Sequence, residues 1–344
     1  TRSYERLVRG SETAVLMDTP PASEQPSCPP GASESERRAL GYNALACLAG
    51  PDPAPFVAVA NWLNGLGLSA PKVIAADLTA GLILLEDLGD ALYSRVLRDG
   101  ATAEPLYRAA VDVLVALHTA GAPSSLDGAA GRRILPHRYD HIAMQAEADL
   151  LPEWYLPFAG IANTEGDLQS YRAAWSPVLD MPRDPAPVFV LRDFHADNLI
   201  WLPERAGVAR VGLLDFQDGL IGPAPYDLVS LLEDARRDVP EALASAMLDY
   251  YCAEMHERDA AFDATVFRRA YAILGAQRNA KIIGIFARLA LRDGKTAYLQ
   301  HLPRVWRYFE GDLQDAALAP VRAWIDAHIP VSRRGLTAPH QDAS

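Results

Sequence analysis

Residues 188–218, VFVLRDFHADNLIWLPERAGVARVGLLDFQD, decide the fold of this chain. Two apolar runs in this stretch, at 188–191 and at 210–214, have the length and composition that favour β-strands. The first run leads into Asp193 and the second leads into Asp215. We expect the two strands to bring both carboxylates to one edge, where they can act together on a bound ligand.

The polar residues of this stretch have a spacing that suits phosphoryl transfer. Asn198 is the fifth residue after Asp193, and Asp215 follows the next apolar run. In phosphoryl transfer one Asp orients and deprotonates the attacking hydroxyl, while an Asn and a second Asp hold the Mg²⁺ that bridges the nucleotide phosphates. The spacing predicts Asp193 as the catalytic base and Asn198 and Asp215 as the metal ligands. Gln217 stands where the protein-kinase pattern has Gly.

These residues lie in runs that are similar to the aminoglycoside phosphotransferase family, the small-molecule branch of the protein-kinase-like fold. The similarity is carried by LRDFHADNL at 191–199 and by LLDFQDGLIGPAPYDLVSLL at 213–232. Within the family, the chain most resembles the anomeric N-acetylmuramate/N-acetylglucosamine kinases of bacterial cell-wall recycling. LEDARRDVP at 232–240 and QRNAKIIGIFARLALRDGK at 277–295 carry this closer likeness.

The resemblance implies an α+β fold with two lobes. A small strand-rich lobe at 1–88 would bind the nucleotide, a larger and mainly helical lobe at 89–330 would carry the catalytic and substrate sites, and 331–344 would be a flexible tail. The resemblance also implies ATP and Mg²⁺ as cofactors and a sugar hydroxyl as acceptor, which is the anomeric one for an amino sugar. An aminoglycoside or another small alcohol is the alternative acceptor within the same family.

Further site residues follow from the resemblance. Asp227 would anchor the backbone of the catalytic loop. Glu86, Asp87 and Leu88 would form the hinge between the lobes, whose backbone would meet the adenine edge of the nucleotide. His118 resembles the His of the Leu-His pair on the first helix of the larger lobe, and we expect it to be a packed core residue.

An anionic amino sugar would need a positive charge near its carboxylate. Arg236, Arg278 and Lys281 are candidates for this contact, and the last two lie three residues apart on a predicted helix, so they share a face. The acidic balance of the chain would also suit a cationic aminoglycoside. Charge therefore does not decide the acceptor.

The phosphate-binding part of the first lobe departs from the family pattern. Strand three normally carries a Lys that pairs with the α- and β-phosphates, but Met17 stands at the position that looks equivalent, and the first Lys of the chain is Lys72. The sequence also lacks a Gly-rich phosphate loop, and we expect this loop and the first strand to lie upstream of Thr1. An Arg can replace the Lys because a guanidinium binds phosphate in a forked geometry. The candidates are Arg2, Arg6, Arg37 and Arg38.

Composition and charge limit the possible partners. The chain has 344 residues and a formal net charge of -12, which does not fit a nucleic-acid backbone as partner. We expect a small-molecule sugar and a nucleotide as partners, without an obligate protein partner. The three cysteines are widely spaced, so they indicate neither a disulfide framework nor a Cys-x-x-Cys metal site, and a reducing cytoplasm is the expected location. Prolines interrupt the least charged stretch, so no membrane span is predicted.

Two alternative interpretations belong to other functional classes. Asp193, His195 and Asp197 form an Asp-x-His-x-Asp run that would suit a metallohydrolase. The missing Lys would instead suit a nucleotide-binding protein without catalytic activity. The first alternative lacks further clustered His ligands, and the second does not explain why Asp193, Asn198 and Asp215 occur together.

Hydrophobic periodicity and turn residues divide the rest of the chain into a strand-rich first part and a helical second part. We expect a hairpin from 4–8 and 13–17, a strand pair from 71–76 and 81–85, and a helix at 33–49 that begins with a capping arrangement of Ser and Glu. Further helices are expected at 55–67, 105–121, 141–156, 169–179, 226–240, 241–255, 264–290 and 318–328.

Overall fold

The computed structural model describes residues 2–20, 25–181 and 186–340. The strands within these ranges are short and lie in the first two thirds of the chain. In chain order they are β1 Ser3–Arg9, β2 Glu12–Asp18, β3 Val73–Asp77, β4 Leu82–Glu86, β5 Leu126–Asp127, β6 Arg133–Ile134, β7 Val188–Val190, β8 Leu199–Trp201, β9 Val211–Leu213 and β10 Leu220–Gly222.

The helices make up most of the remaining structure and dominate the C-terminal part. In chain order they are α1 Glu34–Leu40, α2 Tyr42–Leu45, α3 Ala54–Gly65, α4 Tyr93–Arg98, α5 Ala103–Thr119, α6 His141–Ala148, α7 Leu156–Phe158, α8 Glu165–Leu179, α9 Pro225–Leu232, α10 Glu241–Arg258, α11 Ala264–Asp293, α12 Leu302–Asp312 and α13 Ala319–His328. Strands followed by helices give the α+β class that was predicted.

The first four strands form one antiparallel sheet in the order β1-β2-β4-β3, which confirms the predicted hairpin and strand pair. Tyr4 pairs with Met17, Arg6 pairs with Val15, and Val15 pairs with Leu85. Paired residues of antiparallel strands share a face, and side chains alternate along each strand. These five side chains therefore lie on the same face of the sheet.

The central stretch forms two separate strand pairs. β7 pairs with β10, and β8 pairs with β9. The expectation that the strands at 188–191 and 210–214 share one sheet edge is therefore wrong. Each of the two strands has another partner: β10 pairs with β7, and β8, which precedes β9 in the chain, pairs with β9.

Two predicted helices are shorter in the structure. The helix expected at 33–49 is divided into α1 and α2 at Gly41, whose φ of 102° is incompatible with a helix. The helix expected at 226–240 ends at Leu232, and the residues after it are not helical. The sequence also does not predict α12, which has a Pro in its first turn.

The chain divides into two compact units, which are described separately. The first unit contains all the strands named above, the hinge residues, and the residues predicted to bind metal or accept the proton. The second unit is helical and contains Arg236, Arg278 and Lys281. The predicted lobe boundary at residue 88 stays a prediction. The first unit comprises 1–139, 187–232 and 241–262, and the second comprises 140–186, 233–240 and 263–344.

The predicted tail at 331–344 begins within the second unit. Tyr155 donates its hydroxyl hydrogen to the carbonyl oxygen of Arg333 at 2.6 Å, and the amide of His340 donates to the carbonyl oxygen of Phe158 at 2.9 Å. Residues 341–344 lie outside the described residues. Among the described helices, none combines the length and the apolar character that crossing a membrane requires.

Candidate active site

A buried carboxylate holds the backbone that leads into Asp193. Asp227, in the first turn of α9, has no exposed surface, and its carboxylate oxygens accept hydrogen bonds from the backbone amides of Leu191 at 2.7 Å and Arg192 at 2.8 Å. Arg192 has a φ of 71°, in the left-handed region that residues other than glycine rarely adopt. The two hydrogen bonds stabilise this turn, so they fix the position from which Asp193 projects.

The side chain of Arg192 anchors the same turn on its other side. It is only 1% exposed, its Nη1 donates to the carbonyl oxygen of Ala46 at 2.9 Å, and its guanidinium carbon lies 5.4 Å from the centre of the Tyr139 ring. A buried charge needs such partners to offset the hydration it loses. The turn before Asp193 is therefore fixed through both backbone and side chain.

Replacing Asp227 with Ala is expected to destabilise the protein by about 3 kcal/mol or more, because two buried amides lose a charged acceptor worth about 1.5–3 kcal/mol to each. Asp227→Asn keeps one acceptor oxygen, so it should cost about half as much. Urea unfolding of both variants measures these differences. Native stability in Asp227→Ala would contradict the anchoring role.

Asn198 closes the loop that begins at Asp193. Its Nδ2 donates to the carbonyl oxygen of Asp193 at 3.0 Å, and its own carbonyl oxygen accepts from the amide of Leu214 at 3.0 Å. Because Leu214 directly precedes Asp215, Asn198 connects the two halves of the predicted site. Because the side-chain nitrogen of Asn198 is bound within the loop, the side-chain oxygen of Asn198 is the atom that can ligate a cation.

Asp215 lies in a strongly acidic environment. It has a left-handed φ of 56°, and its Oδ1 accepts a hydrogen bond from Gln217 Nε2 at 2.8 Å. Although its side chain reaches solvent, the surrounding protein removes part of its hydration and raises its pKa. The hydrogen bond from Gln217 opposes this rise, whereas the carboxylates of Asp193 and Asp218 add to it. A positive charge beside Asp215 would therefore be stabilised.

A cavity of about 540 Å³ connects the predicted hinge with the predicted metal ligands. Glu86, Asp87 and Leu88 line this cavity, and so do Asn198 and Asp215. Five residues that the sequence singles out in two distant stretches thus face one space. Apolar side chains cover much of the remaining wall, namely Val15, Phe56, Leu85, Ile200 and Leu214.

Ion pairs hold the acidic side chains of the hinge. Arg6 donates to the two carboxylate oxygens of Asp87 from Nε at 2.7 Å and from Nη2 at 3.1 Å, and these bonds lower the pKa of Asp87. Arg205 Nη2 lies 2.7 Å from Glu86 Oε1. Leu88 is buried. The hinge is therefore fixed by contacts within the protein.

The structure distinguishes the four arginines that could replace the missing Lys. Arg6, Arg37 and Arg38 donate hydrogen bonds to other protein groups: the Asp87 carboxylate, a backbone carbonyl and a Glu carboxylate, respectively. Arg2 also donates a hydrogen bond, from Nη2 to the carbonyl oxygen of Gly50 at 3.4 Å, but it is the one of the four whose positive charge lowers the pKa of Asp215. Arg2 is therefore the candidate of the four whose charge acts on Asp215.

The predicted acceptor residues have different surroundings within the second unit. Lys281 Nζ lies 2.8 Å from Oε1 of the fully buried Glu147. Burial raises the pKa of Glu233 to about 7, and the positive charge of buried Arg278 acts against this rise. Arg236 is exposed to solvent. Two of the three cations therefore compensate buried carboxyl groups.

His118 is a core residue, as expected. It is 4% exposed, its Nδ1 lies 2.7 Å from the hydroxyl oxygen of Tyr251, and burial lowers its pKa to about 3. The imidazole is therefore neutral at physiological pH and has a structural role.

The metallohydrolase interpretation requires metal ligands that converge. Within the described ranges, one group of three His, Cys, Asp or Glu residues brings its ligand atoms together, and it consists of Cys28, Cys47 and His137. The Asp-x-His-x-Asp run at 193–197 is not such a group, so the structure offers this interpretation no metal site there. The sequence gives no sign of the Cys–Cys–His group, because its members are far apart and match no short motif.

Comparison with known proteins agrees with this geometry. A model of the phosphotransferase enzyme family matches residues 2–262. An N-acetylmuramate/N-acetylglucosamine kinase from Caulobacter vibrioides is 47% identical over 336 residues, which cover 97% of this chain and 91% of that protein. Another N-acetylmuramate/N-acetylglucosamine kinase, from Pseudomonas aeruginosa, is 34% identical over 315 residues, which cover 90% of this chain and 80% of that protein.

A solved structure supports the fold. A choline/ethanolamine kinase family protein from Mesorhizobium loti has a TM-score of 0.50 at 13% identity, with 93% of this chain and 92% of that chain covered. This similarity confirms the protein-kinase-like fold that the sequence predicts. The family match spans well over half of the sequence. The matched residues include Asp193, Asn198, Asp215 and Asp227. The chain therefore belongs to the phosphotransferase enzyme family.

Proposed function

We propose that the protein is an ATP-dependent kinase that transfers the γ-phosphoryl group to the anomeric hydroxyl of N-acetylmuramate or N-acetylglucosamine. The observation that carries this proposal is the cavity that the hinge residues 86–88 share with Asn198 and Asp215. A nucleotide in this cavity can contact the hinge with its base and the two oxygen ligands with its phosphates. The relatives described as N-acetylmuramate/N-acetylglucosamine kinases support the choice of acceptor.

The cavity walls suit the base of a nucleotide. Val15, Leu85 and Ile200 contribute apolar surface, and burying a flat ring against such surface is favourable by about 25 cal/mol for each Å² removed from water. Ion pairs hold the acidic side chains of the hinge. We therefore assign the contacts with the adenine edge to the backbone of residues 86–88.

Mg²⁺ fits the donor set of Asn198 and Asp215. Both residues offer oxygen ligands, which this small hard cation prefers to nitrogen or sulfur. The raised pKa of Asp215 reflects lost hydration and neighbouring negative charge, and a cation would offset both. When bound, Mg²⁺ supplies positive charge that stabilises the phosphates during transfer. We assign Asn198 and Asp215 to hold this ion.

We assign Asp193 the role of general base. The turn before it is fixed by Asp227 and by the side chain of Arg192, so the backbone from which its carboxylate projects has a defined position. The acceptor hydroxyl gives its proton to this carboxylate while its oxygen bonds to the γ-phosphorus, and ADP leaves with the bridging oxygen. Such positioning is the main contribution of a protein to phosphoryl transfer.

The surroundings of the three acceptor candidates favour Arg236 as the contact for a substrate carboxylate. Its side chain is exposed to solvent. Lys281 is paired with buried Glu147, and the positive charge of Arg278 acts on buried Glu233, so both cations already serve buried carboxyl groups. Among the three, we assign the substrate contact to Arg236 on the ground of its exposure to solvent.

An ADP-release assay with four acceptors tests the proposed function. N-acetylmuramate and N-acetylglucosamine should be turned over, and their reducing ends should disappear, because a phosphate on the anomeric oxygen blocks ring opening. Kanamycin and choline test the alternative acceptors, and Asp193→Asn serves as the blank for background ATP hydrolysis. Turnover of kanamycin or choline alone would replace the proposed acceptor. Nucleotide binding without turnover of any acceptor would support the non-catalytic alternative.

Arg2→Ala is expected to raise the KM for ATP by roughly tenfold or more, because a charge-assisted hydrogen bond to phosphate is worth about 1.5–3 kcal/mol. Arg38→Ala is the matched control, since Arg38 forms an exposed ion pair with Glu34 and should not affect ATP. Initial rates over a range of ATP concentrations give both values. A native KM in Arg2→Ala would show that Arg2 does not replace the missing Lys.

We further propose that the nucleotide lobe ends at residue 88, where the hinge ends.

We also propose that the protein acts in the cytoplasm, where ATP is supplied. Fractionation of cells that produce the protein tests the location. Recovery outside the cytoplasmic fraction would contradict it.

A further inference from the structure

Cys28, Cys47 and His137 form a compact group of possible metal ligands. Both cysteines are 3% exposed, and the two sulfurs and one imidazole nitrogen all lie within 4.8 Å of one another. In a tetrahedral zinc site, ligand atoms about 2.0–2.3 Å from the ion are themselves about 3.5–3.8 Å apart. Shifts of about 1 Å would therefore bring the three atoms to ligating distance. We propose that these residues bind Zn²⁺.

The donor set distinguishes this site from the one assigned to Mg²⁺. Thiolate and imidazole ligands bind Zn²⁺ well, whereas Mg²⁺ prefers oxygen ligands. Two thiolates and one neutral imidazole also balance the charge of the ion. All three residues line a cavity of about 270 Å³. This space can supply a water molecule as the fourth ligand.

The geometry around Cys47 and His137 supports ligation. Cys47 has a φ of 54°, a left-handed conformation that residues with a side chain rarely adopt and that often occurs at functional sites. Arg37 Nη1 donates to Cys47 Sγ at 3.4 Å, and a guanidinium in this position favours the thiolate, which is the form that binds metal. The carbonyl oxygen of His137 accepts from the amide of Ile221 at 2.8 Å, which holds the backbone of this residue.

The residues on either side of Cys47 contact the catalytic segments. The carbonyl oxygen of Ala46 accepts from Arg192, and the amide of Ala49 donates to Asp218 Oδ1 at 2.6 Å. Zn²⁺ bound to Cys47 would therefore hold residues 46–49 in the position that supports the turn before the proposed base. The zinc ligands would act as positioning residues, without contact to the reacting atoms.

Gln217 provides a second connection to the active site. It lines the same cavity as the three proposed ligands, and its Nε2 donates to Asp215. This residue thus borders the cavity that contains the proposed zinc ligands, while its amide contacts the proposed magnesium ligand.

Cobalt binding to the full chain tests the proposal without relying on enzyme activity. The protein, reduced with a phosphine, is titrated with Co²⁺, which gives thiolate-to-metal charge-transfer absorption when bound by cysteine. We expect one equivalent of Co²⁺ to bind and Zn²⁺ to displace it. Losing a residue that only hydrogen-bonds to a metal ligand weakens metal binding by roughly 10–100-fold. Cys28→Ser and Cys47→Ser each remove a ligand itself, so each should weaken Co²⁺ binding by more than this. Cys252→Ser is the matched control, because this buried cysteine is not in the group, and it should bind like the native protein.

Alkylation of the native protein gives a second measurement that does not depend on a variant folding. Zn²⁺ should slow the labelling of Cys28 and Cys47, mapped by mass spectrometry, and should leave the labelling of Cys252 unchanged. Absence of charge-transfer absorption, equal binding by Cys47→Ser and the native protein, or equal labelling with and without Zn²⁺ would overturn the proposal. A Cys28–Cys47 disulfide that forms in air, with no metal uptake after reduction, would replace it with a thiol pair. None of these outcomes bears on the proposed kinase function, which ADP release measures separately.

Discussion

Replacing Asp193 with Asn is expected to lower kcat by about 10²–10⁴-fold, because the variant keeps the size of the side chain but loses the carboxylate that accepts the hydroxyl proton. The loop should keep its shape, since Asn198 and His195 donate their hydrogen bonds to the backbone oxygen of residue 193. The KM for ATP should change little. Rates of ADP release at saturating amino sugar measure the effect.

Asp197→Asn is the matched control for this experiment. Asp197 belongs to the same loop, so its replacement removes a nearby carboxylate without removing the proposed base. We expect a rate close to that of the native enzyme. Near-native turnover of Asp193→Asn, or equal losses in the two variants, would rule out Asp193 as the base. Urea unfolding of both variants shows whether any loss arises from the fold.

Asp215→Asn is expected to abolish measurable turnover at limiting Mg²⁺, because the variant loses the negatively charged oxygen assigned to hold the ion. Removing a residue that only hydrogen-bonds to a metal ligand lowers activity by roughly 10–100-fold. Removal of the ligand itself should lower activity by more than this. A high Mg²⁺ concentration should restore part of the activity. Titrating Mg²⁺ at fixed ATP in the native and variant enzymes measures this shift, and unchanged activity at limiting Mg²⁺ would refute the assignment.

The pH dependence of the native enzyme reports on the same residue. Lost hydration, with the carboxylates of Asp193 and Asp218 adding to it, raises the pKa of Asp215. A proton therefore competes with Mg²⁺ at a higher pH than it would at an ordinary Asp. At low Mg²⁺, activity should fall as the pH decreases through this raised pKa, and high Mg²⁺ should move the loss to lower pH. If activity falls at the same low pH whatever the Mg²⁺ concentration, Asp215 is not a ligand of the ion.

The local arrangement of the proposed catalytic residues can be predicted because these residues are close together in the sequence. Asp193, Asn198 and Asp215 each lie beside a short apolar run, and Asp227 follows in the next helix. In the structure, local contacts such as the hydrogen bond from Asn198 to Asp193 hold this part together. Spacing along the chain therefore approximates distance in the fold.

Parts of the secondary structure are not predictable because local geometry and distant contacts override periodicity. Apolar residues recur at helical spacing throughout 33–49, but the positive φ of Gly41 ends the first helix. The sequence of 233–240 also resembles a helix. There the carboxylate of Asp238 pairs with Arg304 at 2.6 Å, a contact with a distant residue that periodicity does not contain.

Groups whose members are far apart in the sequence are the least predictable. Arg2 is one of four arginines that could equally replace the missing Lys, and only its electrostatic effect on Asp215 separates it from the others. Cys28, Cys47 and His137 look unrelated in the sequence, and the folded chain brings their ligand atoms within 4.8 Å of one another.

The hydrogen bonds of Asp227 also set an order of events during protein synthesis. Leu191 and Asp227 are 36 residues apart, and a ribosome that adds about 5–20 residues per second needs about 2–7 s to cover this interval. During that time the nascent chain already contains Asp193, but the turn before it lacks its stabilising carboxylate. A chain that terminates before residue 227 would therefore carry the proposed base after a turn that lacks its carboxylate anchor.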